Sequence, residues 1–324
     1  MKRLSIALAA LGLLIGTVLL GWFGFGRVVD AVLSVGWGGF GLLIAWQLLL
    51  FAVLAAAWSI IAGRSDIALG VFFWGRMVRD SATTCLPFSP VGGFVLGARA
   101  ITLLGVSWPL ATASLVVDVT AEVLAQMVFA LIGLCILIAH DPFTPLAQPI
   151  AIGIGVAVAA MAAFIWAQQG AGAIFDKLGR RIAGHWFDDA QERVAVLQDE
   201  IGLIYGRTSR LAVGAFLHLL GWIGTAIGTW IGFNLLGVDI DLDDAIAIEA
   251  LLHAVLAVAF LVPGYAGVQE AAYAGLGMLF GVPPDIALGM SLLRRAKDLA
   301  IGIPVLLVWQ FLEVRRLRVV SSGE

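Results

Sequence analysis

The chain has 324 residues, 61% hydrophobic and 13% charged, with a mean hydropathy of +1.02. No soluble fold of this size has an interior that hides so much apolar surface, so a soluble enzyme with a cytosolic cofactor domain is excluded and a multi-pass membrane protein is indicated. The 19 Lys and Arg against 22 Asp and Glu leave a formal net charge of −3, which gives no basic surface for nucleic acid.

Apolar runs long enough to span a bilayer, roughly 20 residues, occupy 4–25, 38–62, 108–139, 146–167, 209–236 and 285–313. The first follows Lys2-Arg3 but is too long for a secretory signal and lacks its cleavage site, so it stays a span. Two further apolar stretches are interrupted. One, 67–105, breaks at Pro87-Phe88-Ser89-Pro90-Val91-Gly92-Gly93; the other, 245–281, breaks at Pro263-Gly264-Tyr265-Ala266-Gly267. Each is expected to enter the membrane and turn back inside it. The expected fold is an all-α polytopic membrane protein of six transmembrane helices plus two re-entrant helical hairpins.

Orientation follows from where Lys and Arg collect in short loops. They cluster at Lys2-Arg3, at Arg64, within 168–210 and at Arg315-Arg316-Arg318, whereas 140–145 and 238–244 carry none. With both interrupted stretches re-entrant and both termini cytoplasmic, every cluster falls inside and only Arg27 lies outside. The polar stretch 168–208 mixes both charge signs with Phe175, Leu178, Ile182, Trp186, Val194 and Leu197, the pattern of short amphipathic helices on the cytoplasmic surface. It is expected to link two halves, with docking of lipid-biosynthesis proteins as the alternative.

An offset of 176 residues aligns Pro87 with Pro263, Ala98 with Ala274, Gly105-Val106 with Gly281-Val282, Ala111 with Ala287, Asp118 with Arg294 and Glu122 with Asp298. The two copies enter from opposite sides, so an inverted repeat is expected, as in many transporters. The first repeat holds spans 4–25 and 38–62, hairpin 67–105 and span 108–139; span 146–167 opens the second within 1–167. The linker 168–208 follows, and 209–324 supplies span 209–236, hairpin 245–281 and span 285–313.

A charge in hydrocarbon costs at least roughly 2.5–3.5 kcal/mol on insertion scales, yet both hairpin-plus-span units are rich in charge. The first holds Arg76, Arg79, Asp80, Arg99, Asp118 and Glu122; the second holds Glu249, Glu270, Arg294, Arg295, Lys297 and Asp298. Asp118 and Glu122 share a helical face, as do Arg294 and Asp298, and an Asp118–Arg294 pair across the halves is the expected contact. Helix N-termini at the hairpin tips, where Gly92, Gly93, Gly264 and Gly267 admit close backbone approach, are expected to converge with Arg99, Arg294 and Arg295 on an anionic headgroup. The substrate-binding residues expected are Arg79, Arg99, Asp118, Glu122, Glu270, Arg294, Arg295 and Asp298, with hairpin tips at Pro87, Gly92, Gly93, Pro263, Gly264 and Gly267. The other reading of these charges is that they pair with one another and touch no ligand.

No metal or cofactor is expected. Asp239-x-Asp241-x-Asp243-Asp244 lacks the central Gly and closing Glu of a calcium loop, and His218 and His253 have no partner at metal-ligand spacing. Both are expected to be satisfied bundle residues. Cys85 and Cys135 are expected to be small core residues.

Val78-Arg79-Asp80, Leu86 through Arg99, Val117-Asp118, Glu122, Pro263-Gly264, Gly267, Glu270 and Arg294-Arg295 together resemble the lysylphosphatidylglycerol synthetase transmembrane-region superfamily, whose members are flippase-like. The stretch from Leu86 to Arg99 with Asp118 and Glu122 is most similar to its hopanoid-biosynthesis-associated branch. The resemblance implies lipid movement in a bacterial inner membrane, with a hopanoid or anionic-headgroup lipid as cargo. Members that transfer lysine carry a soluble catalytic domain after the membrane part; this sequence ends at Glu324, so enzymatic activity is not expected. The alternatives are a membrane scaffold for lipid synthesis and a polyprenyl-linked transferase.

Overall fold

The structure, a computed structural model, describes residues 25–86, 89–142, 145, 148–149, 151–153, 155–156, 158–159, 161–163, 186–259, 262, 265 and 267–322. The expected span 4–25 except its last residue, much of 146–167, the first part of the linker, and Pro87, Pro263 and Gly264 lie outside the described residues. Every regular element among the described residues is helical: α1 (Phe25–Ala62), α2 (Leu69–Cys85), α3 (Ser89–Leu103), α4 (Trp108–His140), α5 (Trp186–Tyr205), α6 (Thr208–Leu235), α7 (Leu242–Val258), α8 (Val268–Leu279) and α9 (Pro284–Ser322).

Among the described residues three stretches are long and apolar enough to cross a membrane: Val29–Ala62, Trp108–His140 and Thr208–Leu235. Their outward faces carry exposed Leu33, Leu49, Leu124, Val128, Leu131, Phe216 and Leu220, a surface that lipid satisfies and water does not. Cys135 lies exposed on α4, while Cys85 is buried, so only one of the two cysteines is a core residue. Helix α1 begins before the expected 38–62. It breaks at Gly36, whose φ of 70° and ψ of 163° no helical residue adopts, so the chain from Phe25 to Val35 is a separate helical piece instead of a loop.

The helix pairs α2–α3 and α7–α8 end alike. Gly105 at φ 96° and Gly281 at φ 74° each follow a short helix, and the next amide closes the same six-residue ring: Val106 N–H to the Ile101 carbonyl at 3.2 Å, Val282 N–H to the Gly277 carbonyl at 2.8 Å. Val106 and Val282 are both buried beneath their turns. The packing repeats too. Helix α2 lies against α9 as α7 lies against α4, α1 meets α9 as α6 meets α4, and α1 and α6 pack on each other at the centre.

Along that central contact α6 presents glycines. A Cβ at Gly214 would strike Ile61, at Gly221 Leu54 and at Gly224 Leu50, so backbone meets side chain for almost three turns; at Gly232 it would strike the Met290 sulfur of α9. Helix α5, the described part of the linker, is not free of the bundle. Ile201 and Ile204 are buried against Ile61, Ala113, Val117 and Ala121, which seats it on α4 beside the α1 terminus.

Candidate functional site

Two buried polar clusters lie next to each other inside the bundle. Helical spacing puts Arg76, Arg79 and Asp80 on one side of α2, and Asp118 and Glu122 on the facing side of α4. Arg76 donates Nε to Asp80 Oδ2 at 2.8 Å and grips Glu122 with both terminal nitrogens, at 3.1 and 2.6 Å. Arg79 donates to Asp118 Oδ2 at 2.9 Å and also bonds Glu122 Oε2. Helix α6 adds His218, whose Nε2 lies 2.9 Å from Asp118 Oδ1. Arg76, Arg79, Asp118 and His218 are buried, Glu122 is nearly so, and the Asp80 side chain keeps 24% of its exposure. Phe94 of α3 covers the Arg79 guanidinium at 5.1 Å.

The second cluster is centred on Glu249 of α7, which is fully buried. Arg294 of α9 bonds its Oε1, while Thr229 of α6 and Tyr273 of α8 donate to Oε2 at 2.7 and 3.0 Å. Arg294 also donates to the Tyr273 hydroxyl at 3.1 Å, and its Nη2 sits 3.1 Å from His253 Nε2. Every acceptor position of the carboxylate that faces protein is used, which is how a buried charge survives without water. Beside it, between α1, α6 and α9, a cavity of about 20 Å³ is bordered by Gln47, Thr225, Thr229, Arg294 and Lys297. That is space for about one water molecule. Lys297 Nζ reaches across to Gln47 Oε1 at 2.6 Å.

Trp222 of α6 joins the clusters. Its indole N–H donates to the Glu122 carbonyl at 3.2 Å, and its ring stands edge-on to the His253 imidazole with centroids 4.5 Å apart. Gln126, one turn beyond Glu122, donates to the His253 carbonyl at 3.3 Å.

Several expected groupings take a different form. Asp118 does not pair with Arg294; the first bonds Arg79 of α2 and His218 of α6, the second Glu249 of α7, because these counter-charges lie on the helices that face each residue. Arg99 does not converge with Arg294 and Arg295. It pairs with Glu313 at 2.8 Å, nineteen residues further along α9 than Arg294, or about 28 Å at 1.5 Å per residue. Arg295 pairs with Glu270 at 2.9 Å, and the other Glu270 oxygen accepts the Gly267 amide at 2.8 Å, capping α8. Asp298 lies 3.6 Å from Lys297. Gly93 has its close approach to α2, since a Cβ there would strike Thr83 and the Arg79 carbonyl, whereas Gly92 faces open space.

Sequence reasoning placed Arg76, Asp80 and Glu249 in the membrane but not in the site, and read His218 and His253 as bystanders. His253 stands four residues after Glu249, a same-face spacing that was there to be found; His218 is a hundred residues from Asp118, and nothing local announces that contact. Among the described residues no group of three or more His, Cys, Asp or Glu is placed to hold a metal ion.

Apolar helices of spanning length, packed around two adjacent ion-pair clusters, define a polytopic membrane protein with a charged interior. The family described as the lysylphosphatidylglycerol synthase TM region matches residues 9–305, and the chain belongs to it. No curated protein and no solved structure matches the chain.

Proposed function

We propose that the protein is a flippase-like transporter that moves a lipid across or out of the bacterial inner membrane, with a hopanoid or an anionic-headgroup lipid as cargo, as in the hopanoid-associated branch of the family. The observation that carries this is the placement of two buried charge clusters side by side between two alike hairpin units. Such charge is expensive in hydrocarbon and needs a purpose beyond holding helices together. Membership of a lipid-handling family supports the lipid as the substrate class.

Under this proposal the chain has six spans, two re-entrant hairpins and an inverted repeat, with both termini cytoplasmic. Helices α2, α3, α7 and α8 have 17, 15, 17 and 12 residues, which at 1.5 Å each is about 18–25 Å and short of the roughly 30 Å hydrocarbon core. Arginines 79, 99, 294 and 295 exchange a carboxylate partner for the headgroup. Asp118, Glu122, Glu270 and Asp298 hold the cations in place between cargoes, and the backbone near Pro87, Gly92, Pro263, Gly264 and Gly267 lines the path. Tails stay in the bilayer, and no covalent bond changes. Rocking of the two units about the α1–α6 contact exposes the interior to each leaflet in turn.

The test is mass spectrometry of lipids that copurify with the protein, compared with bulk lipid from the same membranes. One lipid should be strongly enriched, and Arg294→Ala and Arg99→Ala should each remove the enrichment while the protein still elutes as a folded species. Profiles matching bulk lipid for the wild type, or enrichment unchanged in both variants, would sink the proposal.

A further inference from the structure

The charges of the first cluster do not balance. Arg76 and Arg79 contribute two positive charges and Asp80, Asp118 and Glu122 three negative ones, so the group carries one net negative charge while His218 is neutral. Other Arg and Lys ion pairs on these helices match one for one: Glu249 with Arg294, Glu270 with Arg295, Asp298 with Lys297 and, nearer the surface, Glu313 with Arg99. Guanidinium groups do not give up their protons, so the imbalance is removed by taking up a proton, either on one of the three carboxylates or on the histidine beside them.

His218 is placed to receive it. An ionised carboxylate only accepts hydrogen bonds, so the Nε2 next to Asp118 Oδ1 carries hydrogen and donates. The other ring nitrogen, Nδ1, is buried without a hydrogen-bond partner among the described residues. In the neutral ring it is an idle lone pair; in the imidazolium it is an N–H that needs an acceptor. The groups around the ring are Asp118 and Glu122 from α4, Arg76, Arg79 and Asp80 from α2, and, beyond Trp222, Glu249 and His253 from α7 with Arg294 and Lys297 from α9. Helix α1, packed along α6, has no titratable side chain from Gly36 to Ala62.

We infer that the Asp118–His218 pair is a proton-binding switch that couples the conformational cycle to proton movement across the membrane. It rests on the transport reading above and names what drives that cycle. A proton taken up on Nδ1 brings the cluster from one net negative charge to zero, with the Nε2–H bond to Asp118 kept. The same proton creates a buried donor that this conformation leaves unsatisfied. Protonation therefore favours a different packing of α6 against α2 and α4, one that brings an acceptor or water to Nδ1, and release of the proton favours the packing seen here. One pH unit between the two sides is worth about tenfold in the ratio of the two states per coupled proton.

The test separates this switch from transport itself. Protein labelled with ¹⁵N in its four histidine rings, held in nanodiscs, is titrated from pH 5 to 8 by solid-state NMR. The ring whose signal is missing in His218→Gln should convert from neutral to imidazolium. Asp118→Asn, which keeps the ring and removes the opposite charge, should lower its proton affinity by at least about tenfold, since a charge at such range is worth one to three pH units. A His218 ring that stays neutral throughout in folded protein overturns the inference, as does a cluster that answers to sodium replacing choline at constant pH. In proteoliposomes, lipid movement should respond to the sign of an imposed pH gradient and lose that response in His218→Gln; movement in the wild type that ignores the gradient also overturns it. Absence of any lipid movement beside a titrating His218 would instead count against the transport proposal.

Discussion

Trp222 stands edge-on to His253 with 4.5 Å between ring centroids, and the same indole bonds the backbone of Glu122 through its N–H. One side chain of α6 thus touches both charge clusters and stands between them. Phe129 stacks on its other side at 6.1 Å.

Trp222→Phe keeps most of this contact and loses the bond to the Glu122 carbonyl, an expected loss of about 0.5–1.5 kcal/mol. Trp222→Ala removes the partition as well, at about 3–5 kcal/mol. Thermal unfolding in detergent should rank wild type, Phe and Ala in that order, and equal midpoints for Phe and Ala would show that the ring does not separate the clusters.

Arg294→Met leaves Glu249 charged and buried with only neutral donors, and should destabilise by about 3–5 kcal/mol. Pairing it with Glu249→Leu should recover much of that loss, because no lone charge remains. A double-mutant cycle by chemical denaturation checks it; additive losses would mean that the two residues do not depend on each other.

The Arg99–Glu313 pair is different in kind. The Arg99 side chain retains 38% of its exposure, so its removal should change stability by no more than about 1 kcal/mol. Arg99→Ala is therefore expected to unfold within a few degrees of wild type, and any loss of lipid enrichment in it reports on cargo instead of folding.

Asp66, in the loop joining α1 to α2, is held by Arg64 at 2.8 Å, and that hydrogen bond lowers its carboxyl to about 2. Its folded value lies below the unfolded one of about 3.9, so the contribution is complete above pH 4 and is lost only as pH falls through about 2. Asp66→Asn should leave stability between pH 5 and 8 with an unchanged pH profile, measured by thermal melts. A changed profile in that range would show that the loop, and not the interior, senses pH.

How much was legible in the sequence differs by kind of feature. Continuous apolar runs gave helix positions closely, 108–139 against Trp108–His140 and 209–236 against Thr208–Leu235, since burial in lipid and helix length are local properties. The 176-residue offset also picked out Gly105-Val106 and Gly281-Val282, which form the same turn. Partner choice was not legible. The offset aligns Asp118 with Arg294, but symmetry-related positions need not touch: Asp118 finds its counter-ion on α2 and Arg294 finds its own on α7. Gly36 was hidden for another reason: a single glycine breaks the helix without a proline or a polar loop to mark the place.

The glycines of α6 make the central contact a set of notches on one helix filled by Leu50, Leu54 and Ile61 of the other. At these three notches the adjustable volume therefore sits on α1, and α6 has nothing left to trim there. A lineage that fills one notch, as Gly224→Ala would, must shorten the opposing leucine in the same step, so these positions are free to drift only as couples.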